Sequence, residues 1–170
     1  MRSDAPPDPA SPSRGGLVTG LLAARADPAT VPLAAYNPFS LVCVERSAAW
    51  LLTNRPEPGR MRLEPGIHGL TNGPFARPWP KLAGLTAALG DWLERGEPDP
   101  EPLFAALRDD SVPAGAFDEA TASPLFIRNQ VYGTRCSTVV LIERGGQTTI
   151  VERRFASGGA PGGETKLTAS

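Results

Sequence analysis

Thr134-Arg-Cys-Ser-Thr-Val-Val-Leu-Ile-Glu143, then Gly145-Gly146, then Gln147-Thr-Thr-Ile-Val-Glu-Arg-Arg-Phe155 is the stretch that decides the fold class. Both long runs are rich in β-branched side chains, which suit a pleated surface. A Gly-Gly pair between such runs supplies a turn that accepts positive φ without steric cost, so the pattern predicts a β-hairpin. The sequence after Ala156 is rich in glycine and is expected to be a flexible tail over 157–170.

Upstream, Trp79 to Arg95 carries Leu82, Leu85, Leu89, Trp92 and Leu93 at helical spacing, and Gly96 suits its C-terminal cap. Asp99-Pro100 starts a shorter helix to about Arg108 that buries Leu103, Phe104 and Leu107. Ser123–Arg128 reads as a short strand around Leu125, Phe126 and Ile127. Further back, Phe39–Val44 and Ala49–Thr53 flank a polar Glu45-Arg46-Ser47, a second hairpin whose apolar runs predict burial on both faces. Residues 55–77 are rich in Pro and Gly, with short extended pieces near Arg62-Leu63 and Ile67–Thr71. Ser13 caps a helix over about 14–26 that repeats Leu17, Leu21 and Leu22 and stops at Asp27-Pro28. Residues 1–12 form a loop or disordered segment, and 13–156 form one domain. Strands, then helices, then strands make the class α+β, with helices packed on antiparallel sheet.

Composition narrows the function. Seventeen basic and eighteen acidic side chains leave a net charge of −1, with no basic stripe for nucleic acid or an anionic membrane. No apolar run approaches the roughly 20 residues of a membrane span, and the N-terminus has no signal-peptide core. The expectation is a cytoplasmic protein whose Ala, Pro, Gly and Arg usage suggests a bacterial source. Cys43 and Cys136 are expected to be free thiols in apolar strands. One histidine, His68, and no paired Cys or His spacing give no metal site. No cofactor follows from the residues themselves.

Three segments carry a family resemblance. Gly69-Leu-Thr-Asn-Gly73 continues into Pro78-Trp-Pro-Lys81; Tyr132-Gly-Thr-Arg-Cys-Ser-Thr138 leads into the last hairpin; Ser13-Arg14-Gly15 precedes Leu17-Val18. Their order and spacing, with Glu152-Arg153 near the end, resemble the NRDE family, also known as the transport-and-Golgi-organisation protein 2 family. The likeness runs from about residue 13 to residue 155. The family's opening Met-Cys and its Asn-Arg-Asp-Glu block are not found, so the chain is expected to be the C-terminal portion of the domain, through a truncated gene or a start codon placed too late.

That resemblance implies an incomplete αββα sandwich of the N-terminal nucleophile hydrolase type. In such enzymes the first residue attacks with its side chain while its α-amine takes the proton. Met1-Arg2 supplies no such nucleophile, which leaves the chain catalytically incomplete as given. The family signatures nominate Asn72, Trp79, Lys81, Tyr132, Gly133, Thr134, Arg135 and Thr138 as pocket or signature residues. Several keep two readings open. Asn72 can stabilise an oxyanion or make a turn with Gly73. Gly133-Thr134 can be an internal cleavage site or simply a turn entering a strand. Arg135 can hold an anion or pair with Glu152. Trp79 can anchor its loop or line a pocket, and His68 can ligate haem or sit on the surface. Eukaryotic relatives imply trafficking of haem or handling of lipid and acyl-CoA, so the first functional expectation is small-molecule binding with haem as a candidate ligand. An amide hydrolase, active once an upstream Cys segment is restored, and a non-functional fragment are the alternatives. Open strand edges also predict self-association.

Overall fold

The computed structural model describes residues 8–24, 27–45, 48–71, 79–96, 98–112 and 123–170. The chain divides into two compact units, one of residues 1–68 and 72–75, the other of residues 69–71 and 76–170. The α+β class holds, and the described residues form two three-stranded antiparallel sheets and three α-helices.

In the first unit, α1 (Arg14–Leu22) starts where Ser13 Oγ accepts a hydrogen bond from the Gly16 amide at 3.2 Å. It stops at Leu22, four residues short of expectation. Leu17 is buried, but Leu22 lies about 140° further round the helix and faces solvent. β1 (Ser40–Val44), β2 (Ala49–Thr53) and β3 (Gly59–Leu63) form a meander in that order. Burial of β1 on both faces is not found. Leu41 and Cys43 pack on the core of Leu17, Val31, Leu33, Phe39 and Leu52, while Val42 and Val44 alternate outward. Asn54 closes this unit: its Oδ1 accepts from the Phe39 amide at 2.9 Å, and its Nδ2 donates to the carbonyls of Leu33 and Tyr36.

In the second unit, α2 (Pro80–Arg95) begins at Trp79 with proline at its first position, where the missing N–H costs nothing. Gly96 ends it at φ +68°, a conformation that glycine adopts freely. Leu89 and Trp92 pack against a core of Leu103, Phe104, Val139 and Val151, whereas Leu93 points outward. Residues Leu103 and Phe104 come from α3 (Glu101–Leu107), as the sequence predicts. β4 (Cys136–Ile142) and β5 (Thr148–Phe155) are the expected hairpin, with Val139 opposite Val151. Its turn is closed by the Gly146 amide donating to Glu143 and the Glu143 amide donating to Gln147.

Two expectations for this unit fail. Residues 123–128 form no strand: Phe126 is buried edge-on against Phe155 at 4.7 Å, and its amide donates to Asp109 rather than to a ladder. The tail is not flexible either. β6 (Pro161–Ala169) pairs along β5, Thr148 opposite Ala169 and Glu152 opposite Thr165. Every residue of β6 is exposed, so no apolar alternation announces it. The ladder and cross-strand contacts hold it instead: Arg153 Nε donates to Glu164 at 2.8 Å and Arg154 Nη1 to Thr165 at 2.7 Å.

Candidate functional site

Apart from the Ser13-Arg14-Gly15 segment, which starts α1 in the first unit, the signature residues that are described lie in the second unit. Trp79 is 6% exposed and caps α2, so its ring forms a fixed platform. The Lys81 ammonium lies 5.2 Å from the centroid of that ring. Burial pushes the Lys81 pKa down, because desolvation disfavours the charged form. The indole Nε1 of Trp79 is buried and has no hydrogen-bond partner among the described residues. Gly69, of the Gly-Leu-Thr segment, abuts the same helix. A Cβ added there would fall 2.5 Å from the Leu82 side chain, which would have to shift to admit it.

From Lys81 a groove of about 580 Å³ runs along α2 and α3. Gly84, Leu85 and Ala88 follow one another along its α2 wall, and Ala106, Val112 and Leu125 lie among its other lining residues. Its polar members are Lys81, Asp109 and Ser111. The Asp109 carboxylate accepts the Ser111 amide at 2.9 Å, and hydrogen bonds from Ser111 hold its pKa below the usual carboxylate value.

The Tyr132–Thr138 block is built differently. Thr134 and Ile127 exchange two bonds: the Thr134 amide donates to the Ile127 carbonyl at 3.0 Å, and the Ile127 amide donates to Thr134 Oγ1 at 2.9 Å. Asn129 Oδ1 accepts from the amides of Val131 and Tyr132. A Cβ at Gly133 would meet the Ile127 carbonyl oxygen at 2.9 Å. This scaffold presents Val131, 97% exposed, and Tyr132, 64% exposed, to solvent.

A family model described as Transport and Golgi organisation 2 matches residues 1–157. The chain belongs to this family. It is similar to the Transport and Golgi organization protein 2 homologs of Homo sapiens, 29% identical over 140 residues, and Bos taurus, 30% identical over 140 residues. The Mus musculus homolog is 26% identical over the same length. Each alignment covers 69% of this chain and 51% of the relative, so the chain spans about half the length of the curated relatives it matches. β6 lies beyond the residues that the family model covers.

Among the family-signature residues, Trp79 and Lys81 come together at the start of α2, while Tyr132, Gly133, Thr134, Arg135 and Thr138 share one loop and the strand it enters. No hydrogen bond or ring contact joins the two groups among the described residues. Asn72 lies outside the described residues. Arg135 does not pair with Glu152; that carboxylate lies 3.6 Å from Arg154 and accepts from Thr138 Oγ1. Arg135 contributes its carbonyl, which accepts the Phe155 amide at 2.8 Å. Cys136 is exposed rather than buried, because it opens β4 on the outward side. Cys43 is half-buried, with its pKa raised by burial and then by Glu45. His68 sits at the surface with Nε2 2.6 Å from the Glu64 carbonyl.

Sequence reasoning missed Asp109, Ser111 and Gly84 in the groove. An Asp-x-Ser turn at a helix end was a legible local signal. Nothing local could show that Gly84 opens onto free space.

Proposed function

We propose that this family member binds and carries a small ligand, with haem and acyl-CoA or a related lipid as the classes to try first. The α2–α3 groove carries this reading. Its volume falls in the range of roughly 300–1,000 Å³ common to small-molecule sites, and its wall is mainly apolar with few polar groups. The names of the relatives speak of transport and Golgi organisation, which accords with a carrier role. The proposal extends to the fold, which we read as resembling that of the N-terminal nucleophile hydrolases, and to a cytoplasmic setting.

The test is titration of the full chain with hemin, followed at the Soret band, and with palmitoyl-CoA, followed by calorimetry. Saturable binding of either at micromolar concentration, about −8 kcal/mol, supports a carrier. Absence of saturation by both defeats it. Release of amine from a panel of simple amides would instead assign the chain to the hydrolases.

A further inference from the structure

Lys81 occupies the second position of α2, at the end of the helix where unpaired backbone N–H groups already concentrate positive charge and a cation is disfavoured. The first turn contains no acidic residue. Among the described residues the ammonium has no carboxylate partner, only the Trp79 ring beneath it. Among the described residues, the groove therefore starts at a cation set over a buried aromatic ring and without a counter-ion.

Gly84 lies one turn further along the same wall. Glycine weakens a helix interior relative to alanine, and a packing neighbour commonly explains its presence. Among the described residues there is no such neighbour: a Cβ at Gly84 would meet nothing within 4 Å. Gly69, by contrast, has Leu82 pressed against it. What Gly84 leaves is room, continued by Ala88 and bounded by Leu85 and Leu125. Asp109 also lines the groove, and its hydrogen bonds from Ser111 favour the charged form, so it repels an anionic group.

We infer that the groove takes an amphipathic anion, with a carboxylate or phosphate at Lys81 and an apolar body over Gly84 and Ala88. This rests on the ligand-binding reading above and adds which residues hold the head group and the body, and so the orientation of the ligand.

Calorimetric titration of the full chain with laurate, dodecyl phosphate and 1-dodecanol tests it. The wild type should bind at least one anion about tenfold more tightly than the alcohol, and the better anion identifies the head group. Lys81→Met should reduce that anion to the affinity of dodecanol and leave dodecanol unchanged, while Lys81→Arg retains the preference. Gly84→Leu should weaken all three by about tenfold or more while keeping a cooperative melt. Equal loss of anion and alcohol in Lys81→Met, or no loss at all, overturns the assignment. So does full binding by Gly84→Leu. Should hemin or palmitoyl-CoA saturate the chain with an affinity that Lys81→Met and Gly84→Leu leave unchanged, this inference fails and the carrier reading stands. Failure with every probe removes both.

Discussion

The two signature segments of the second unit use their residues in opposite ways. Around Tyr132–Thr138 the backbone does the positioning: paired bonds between Ile127 and Thr134, and two amides converging on Asn129, hold a loop in which a glycine is sterically required. At Trp79–Lys81 the side chains carry the interest, because a partly buried cation stands over a buried ring at one end of a groove. Sequence motifs of similar strength can therefore mark a structural knot in one place and the edge of an open groove in another. The way to tell them apart is whether substitution costs stability or binding.

The sharpest break is Gly133→Val. Its Cβ would collide with the Ile127 carbonyl, and we expect about 3 kcal/mol of destabilisation in urea unfolding. A loss below about 1 kcal/mol would mean that the loop relaxes easily and is no knot. Thr134→Val should follow at about 2 kcal/mol, since the Ile127 amide loses its acceptor while half-buried. Gly84→Ala should move the other way, stabilising α2 by about 1 kcal/mol, because the new methyl group meets only open space. A destabilising result would show that the groove is filled by the protein itself.

Lys81→Met should leave stability unchanged or raise it by about 0.5 kcal/mol, since it removes a cation from the positive end of a helix. Marked destabilisation, read from the same unfolding curves, would make Lys81 a structural residue and erase the contrast. The smallest effect belongs to Tyr132→Ala, within about 0.5 kcal/mol, because most of its ring is in solvent. A large drop in melting temperature would show instead that Tyr132 is covered.

The signals that could be read from the chain alone were local ones. Ser13 as a cap, Pro80 and Gly96 at the two ends of α2, the Gly145-Gly146 turn and the alternation of β4 and β5 each reflect geometry within a few residues. The failures share a cause. β6 is an exposed edge strand whose pairing with β5 is decided by backbone bonds and by Arg153 and Arg154, and its glycines suggest a linker. β1 looked buried on both faces because Val42 and Val44 are as apolar as the residues between them. Asn54, unremarkable in sequence, satisfies backbone groups from 15 to 21 residues away.

By itself, the sequence determined the α+β class, the capped helices, the last hairpin and the family signatures, because each follows from periodicity or from residues a few positions apart. Tertiary structure alone decided the division into two units, the third strand of the second sheet, and the open groove beside Lys81. Those depend on which surfaces meet and which are left apart. A glycine that faces a leucine and one that faces empty space are written with the same letter.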